Sequence, residues 1–216
     1  MKMGFEEGKH FIWSLDFLSP RTSFVGRGLY ERFDWDSMRN TTARTGNESG
    51  EFYRGRLQVL ASLADFSNFD VVVDLGAANE RIREFLPQHI RYIPVDYIKY
   101  SDDTYMCDLN SNFPDAVSAN YELAKTLMVS SGNIAYITDW KQYLYNITNN
   151  SYCLLLSIGY ALGKKPTFGA KKSHIFSHQI ILEMQRLGFM LTDARDYRLV
   201  EECLKFEKEP LHTCDR

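Results

Sequence analysis

The stretch Asp70-Val71-Val72-Val73-Asp74-Leu75-Gly76 constrains this chain more than any other. An apolar, β-branched run that ends on glycine reads as a buried strand leading into a tight turn. Four further apolar runs follow it: Arg91-Tyr92-Ile93-Pro94-Val95-Asp96, Thr104-Tyr105-Met106-Cys107-Asp108, Ala124 to Ser130, and Tyr152-Cys153-Leu154-Leu155-Leu156-Ser157. Pro94 is unusual for a central strand, because it cannot donate to a ladder. Between and around these runs lie segments with helical spacing. Phe52, Leu57, Val59, Leu60, Leu63 and Phe66 share one face, as do Ile137, Trp140, Leu144 and Ile147, and Ile180, Ile181, Met184 and Leu187. Ile82, Phe85 and Leu86 predict a short helix stopped by Pro87, and a polar helical stretch is expected near Ala116–Glu122. Ser177 is the expected N-cap of the late helix and Gly188 its stop. Two last strands are expected around Phe189–Asp193 and Glu202–Phe206. Strands alternating with helices imply a mostly parallel α/β sheet covered on both faces, and the helix–strand–strand tail implies a final antiparallel pair at its edge.

With 216 residues, 44% of them hydrophobic, the chain can bury a sizeable core. Residues 1–50 show little periodicity but many aromatics, among them Phe5, Phe11, Trp13, Phe17, Phe24 and Tyr30. They are expected to form a segment that packs on the main body or covers a pocket, with the main domain over residues 51–216. A net charge of −3 gives no general attraction for nucleic acid or an anionic membrane. No run reaches transmembrane length, and the charged residues Glu6, Glu7, Lys9 and Asp16 make the N-terminus a poor signal peptide. Cys107, Cys153, Cys203 and Cys214 form no C-x-x-C pair, which indicates neither zinc nor a redox motif and suits reduced thiols in the cytoplasm.

Chemistry concentrates between Val71 and Asn110. In open α/β sheets ligands sit beyond the carboxyl ends of the strands. Asp96 ends the second strand, 20 residues past Gly76, where a carboxylate can take both hydroxyls of a ribose. Asp108 ends the third. A lone rim acid is usually a helix cap or a solvated loop residue; three successive strands delivering Asp74, Asp96 and Asp108 favour a ligand.

These residues also carry a resemblance. Asp74-Leu75-Gly76-Ala77-Ala78-Asn79-Glu80 resembles the first motif of the class I S-adenosylmethionine-dependent methyltransferases, commonly D-L-G-x-G-x-G. Tyr92-Ile93-Pro94-Val95-Asp96 is similar to the second-strand motif, whose acid binds the cofactor ribose. Cys107-Asp108-Leu109-Asn110 resembles the third-strand motif that contacts adenine. Ser130-Ser131-Gly132-Asn133 through Asp139 resembles the segment after strand four, and Gly188-Phe189 falls where the family has a late G-F pair. The resemblance runs from about Glu51 to Lys208. It implies a Rossmann-like α/β fold with a seven-stranded, mostly parallel sheet and S-adenosylmethionine as cofactor. It places Asp74, Gly76, Ala77, Asp96, Tyr97, Asp108, Leu109 and Ser130 around that cofactor. The chain departs from the pattern at Ala78 and Glu80, where the family commonly has glycine. Glu80 sits either at the start of the following helix or against the cofactor's amino group.

The cofactor can be discriminated further. Gly76-Ala77-Ala78-Asn79-Glu80-Arg81 lacks the glycines of a dinucleotide loop, and Glu80 would repel its phosphates. After strand four there is no N/D-P-P-[YFW] run of the kind found in base-amine methyltransferases, which with the charge disfavours nucleic acid as substrate. The pattern is similar to small bacterial methyltransferases of sugar and polysaccharide pathways, which implies a sugar-like small-molecule acceptor and O-methylation. The alternative is a methyltransferase-like binding or regulatory module without turnover, with a nucleotide-dependent oxidoreductase as a distant third. A hydroxyl acceptor benefits from a general base. His174, His178 and Tyr136, the last with Asp139, are the candidates; His178 is otherwise a solvated first-turn residue and Tyr136 a core aromatic. Tyr160 is a candidate lining residue, and Lys164, Lys165, Lys171 and Lys172 are candidates to attract an acidic acceptor or else a solvated face.

Overall fold

The computed structural model describes residues 51–114, 121–159, 175–198 and 201–209. Among them, seven strands form one sheet: β1 (Val71–Leu75), β2 (Arg91–Asp96), β3 (Tyr105–Met106), β4 (Thr126–Ser131), β5 (Cys153–Gly159), β6 (Phe189–Tyr197) and β7 (Glu201–Lys208). Their order is β3-β2-β1-β4-β5-β7-β6. The first five run parallel, while β7 pairs antiparallel with both β5 and β6. This is the Rossmann-like sheet expected from the sequence, including its antiparallel last pair.

Three α-helices belong to the described residues: α1 (Glu51–Ala61), α2 (Trp140–Asn150) and α3 (Ser177–Arg186). Strands buried on both faces need cover on both, and two apolar clusters supply it. Val71, Val73 and Leu75 of β1 join Met128, Leu154 and Leu156 under Leu144 and Ile147 of α2 and Ile180 and Met184 of α3. Val72 with Leu127, Val129 and Leu155 lies under Leu57 and Leu60 of α1 and Ile82. The period of two along the strands sorts their residues to opposite faces.

Several local expectations are sharpened or corrected. The short helix expected after β1 is present as a 3-10 helix, Arg81–Phe85, kept to five residues by Pro87. The third strand is only Tyr105–Met106, so Asp108 lies beyond it in a turn. Phe176, not Ser177, holds the N-cap position of α3, and its N–H donates to Gln179 Oε1 at 3.0 Å. Gly188 follows α3 at φ +79°, as a helix stop requires. Pro94 is tolerated because β3 pairs with β2 only from Val95 onward, leaving β1 as its one neighbouring strand at that level. Among the described residues no helix is long and apolar enough to cross a membrane. Residues 1–50, His174, Tyr160, the four lysines at 164, 165, 171 and 172, Cys214 and most of the Ala116–Glu122 stretch lie outside the described residues.

Candidate active site

The register sets four loops side by side at the carboxyl rim. Leu75 pairs with Val95, Asp74 with Val129 and Ser131 with Ser157, so Gly76, Asp96 and Ser131 stand at about the same level. The loop after β1 begins by bonding across to β2: the N–H groups of Gly76 and Ala77 both donate to Val95 O, at 2.8 and 3.0 Å. Gly76 (φ +77°), Ala78 (φ +44°) and Glu80 (φ +59°) are all left-handed. The second and third of these are the positions where the resembled motif has glycine. The loop therefore keeps the backbone shape glycine favours, at a cost of about 1–2 kcal/mol for each side chain held there.

Asp96 is 6% exposed and sits where β2 ends. Its Oδ2 accepts from Ala78 N at 2.9 Å and its Oδ1 from Ile98 N at 3.0 Å. One backbone donor comes from the loop after β1 and the other from the loop after β2. Each carboxylate oxygen keeps further acceptor capacity. Asp74, 4% exposed, accepts from Tyr92 Oη at 2.8 Å. Burial above all, then the Asp74 charge, holds the Tyr92 phenol well above its ordinary range, so it stays a donor. Asp74 thus works within the sheet, while Asp96 stands at its rim.

Glu80 is turned toward the loop after β2. Its Oε1 accepts from Ser101 Oγ at 2.6 Å and Thr104 Oγ1 at 2.8 Å, and Arg83 lies 3.7 Å from its Oε2. It does stand at the start of the following turn, as one of the two sequence expectations has it, at the N-cap position of Arg81–Phe85.

Asn133, which the sequence marks only as part of the segment after strand four, ties that segment to β1. Its Nδ2 donates to Leu75 O at 2.6 Å, and its Oδ1 accepts from Ser130 Oγ at 3.4 Å. A Cβ on Gly76 would stand 2.5 Å from that Nδ2, so the glycine is required twice over, by its φ and by Asn133. Ser130 is fully buried and accepts from Tyr143 Oη of α2 at 3.1 Å. Burial raises the Tyr143 phenol above its usual range. Ser130 therefore stands beneath the rim, as the joint between Tyr143 and Asn133.

Asp108 is exposed and closes its own turn, accepting from Asn110 N at 3.0 Å and Ser111 Oγ at 2.8 Å. Asn110 carries the rim onward: its Oδ1 accepts from Thr138 N at 2.8 Å, and its Nδ2 donates to Tyr136 O at 3.3 Å. Ala77 is buried, Leu109 half-buried, and Tyr97, directly after Asp96, is 70% exposed. Behind Asn110 a cavity of about 100 Å³ is lined by Phe113, Gln142 and Asn146. It is smaller than the roughly 300 Å³ of ordinary small-molecule sites.

Of the expected bases, Tyr136 lies in the 3-10 turn Ile134–Tyr136 and is 43% exposed. His178 is exposed in the first turn of α3, stacked on Phe176 at 5.6 Å. The carboxylate of Asp139 caps α2, accepting from Gln142 N at 3.0 Å. The structure does not bring Tyr136, Asp139 and His178 into hydrogen-bond contact with one another. On the opposite face, Arg56 of α1 pairs with Glu201 of β7 at 3.1 Å, 3.0 Å from where a Cβ of Gly132 would lie.

No family model matches this sequence, and no curated protein matches it. Solved structures do match. The 1,6-didemethyltoxoflavin-N1-methyltransferase of Burkholderia thailandensis, solved with 1,6-didemethyltoxoflavin and S-adenosylhomocysteine, has a TM-score of 0.55 at 13% identity, with 94% of each chain covered. An S-adenosylmethionine-dependent methyltransferase of Clostridium acetobutylicum has a TM-score of 0.56 at 10% identity, over 82% of this chain and 99% of that one. The N-terminal domain of EvdMO1, solved with S-adenosylhomocysteine and D-fucose, has a TM-score of 0.53 at 11% identity, over 89% and 98%. Strand order, mixed sheet and these neighbours together show that the chain has the class I S-adenosylmethionine-dependent methyltransferase fold.

Proposed function

We propose that this protein binds S-adenosylmethionine on the rim formed by Gly76, Ala77, Asp96, Tyr97, Asp108 and Leu109, and transfers its methyl group to a hydroxyl of a small, sugar-like molecule in the cytoplasm. The observation that carries the reading is Asp96. Its buried carboxylate is aimed by two backbone N–H groups at the switch side of β2, with acceptor capacity left for a diol. The residues fit the cofactor. The loop keeps the left-handed backbone at Gly76, Ala78 and Glu80, and the adjacent acids suit a cationic ligand without phosphates. When bound, the cofactor supplies a methyl group activated by its positive sulfonium. The chain's own part is mainly to hold the acceptor in line. His178, His174 and Tyr136 remain the proposed proton acceptors. The fold neighbours solved with 1,6-didemethyltoxoflavin bound or in the presence of D-fucose support a small acceptor.

The test is release of S-adenosylhomocysteine from S-adenosylmethionine across a panel of 6-deoxyhexoses, phenols and N–H heterocycles. Release with a hydroxylated member, abolished in Asp96→Ala, is expected. The second reading is a binding module without turnover, and it rests on Ala78 and Glu80 standing at left-handed positions. Tight binding with no release across the panel would favour it.

A further inference from the structure

Both helices that would ordinarily brace the first two rim loops are missing among the described residues. Only the five-residue turn Arg81–Phe85 follows the loop after β1, and residues 97–104 link β2 to β3 with no helix at all. Something else must hold those loops together, and Glu80 is placed to do so. Its carboxylate receives two hydroxyl protons on one oxygen, from Ser101 and Thr104. Those hydroxyls in turn accept from the loop's backbone: Thr104 Oγ1 from Tyr100 N (3.2 Å) and Ser101 N (2.9 Å), and Ser101 Oγ from Asp103 N (3.2 Å). Three backbone donors are thereby satisfied through two hydroxyls that converge on one carboxylate. Arg83 adds a cation to both sides, 3.7 Å from Glu80 and 3.1 Å from Asp103. The Glu80 side chain is 9% exposed, so these are charge-assisted bonds largely shielded from water.

The consequence reaches Asp96. Its two oxygens are held by one N–H from each of the two loops that Glu80 joins. Thr104 also leads directly into β3, whose pairing with Val95 and Asp96 flanks the same residue. We infer that Glu80, standing where the resembled motif has glycine, is a positioning residue: a latch that holds the loops after β1 and β2 in the arrangement that aims Asp96 at the cofactor ribose. This rests on the cofactor reading above. The left-handed strain at Glu80 is accepted because the side chain supplies the brace that a helix would otherwise give.

The experiment measures the affinity of S-adenosylhomocysteine for the full chain by calorimetry in wild type, Glu80→Gln, Glu80→Ala and Glu80→Gly, alongside amide hydrogen exchange over residues 97–106. A residue present only for backbone reasons makes glycine the best occupant, since it removes the strain. A latch makes glycine and alanine equally poor. If they cut the population of the competent loop to a tenth, affinity falls about ten-fold. Gln keeps a carbonyl oxygen that accepts both hydroxyls and is expected to retain affinity within about three-fold. Exchange at Ile98, Tyr100 and Ser101 is expected to quicken in the Ala and Gly variants and to stay at the wild-type rate on β4 and β5. Glu80→Gly binding as tightly as wild type, or unchanged exchange, overturns the latch. If wild type gives no heat with S-adenosylhomocysteine, the cofactor reading falls and with it the latch's role toward the ribose. The exchange data then still decide whether Glu80 braces the loops.

Discussion

Replacing Gly76 with alanine puts the geometry of the rim to a quantitative test. At φ +77° an L-residue costs about 1–2 kcal/mol. The new methyl carbon would also stand 2.5 Å from Asn133 Nδ2 and 2.8 Å from Asn133 Cβ, so the amide must move. Moving it breaks the 2.6 Å bond to Leu75 O and leaves that carbonyl short of a donor, a further loss of about 1–2 kcal/mol. The total is about 2–4 kcal/mol, which for a chain of this size lowers Tm by roughly 5–15 °C. The two contributions separate in a double-mutant cycle. In an Asn133→Gly background, which lacks both the amide and the Cβ, the clash and the bond are already gone, so Gly76→Ala there costs only the backbone part, about 1–2 kcal/mol. Urea unfolding of wild type, both single variants and the double variant measures all four corners. A coupling of about 1 kcal/mol or more between the sites is expected. Additivity within about 0.4 kcal/mol would refute the placement of Asn133 over the glycine.

Two further predictions concern stability. Glu201→Ala removes the carboxylate that Arg56, whose side chain is 4% exposed, meets at 3.1 Å; a loss of about 1.5–3 kcal/mol is expected in urea unfolding, while Glu201→Gln loses less. The chain is also expected to weaken in alkali. Burial, aided by Glu207 and Glu201 respectively, pushes the Cys153 and Cys203 thiols up to about 12 from an ordinary value of 9. Burial likewise raises the phenols of Tyr92 and Tyr143. A folded-state value raised above the unfolded one gives stability that is complete below the unfolded value and lost as pH climbs toward the folded one. Each thiol therefore removes about 1.4 kcal/mol per pH unit between pH 9 and 12. Unfolding free energy against pH measures this; Cys153→Ala with Cys203→Ala should flatten the slope, and an unchanged slope would contradict it.

The parts of the fold that could be read in advance are those written in contiguous apolar residues. β1, β4 and β5 are nearly unbroken runs, and their buried pattern left little choice but a parallel sheet. Asp96 was legible because its distance from Gly76 is set by one crossover. Much of what stays hidden in the sequence depends on partners distant along the chain. Asn133 reaches back 58 residues to Leu75 O, and nothing in Gly132-Asn133 beyond a polar turn announces that reach. The fate of Glu80 was decided by Ser101 and Thr104, 21 and 24 residues away, so its carboxylate could be placed near the cofactor loop but not aimed. Ile82, Phe85 and Leu86 had helical spacing, yet only Ile82 is fully buried and Pro87 leaves room for a single 3-10 turn. β3 is shorter than its sequence suggests because Cys107 and Asp108 continue an extended-looking run after the pairing ends at Met106.

The central claim is that the rim at Gly76 and Asp96 holds S-adenosylmethionine. Calorimetric titration of the full chain with S-adenosylhomocysteine tests it most directly, with Asp96→Ala as the paired variant and its far-UV spectrum as the check on folding. One saturable site per chain is predicted for wild type, with binding weakened at least ten-fold in a folded Asp96→Ala protein, as removal of both ribose acceptor bonds implies. Absence of heat in wild type, or equal affinity in the two proteins, would contradict the account.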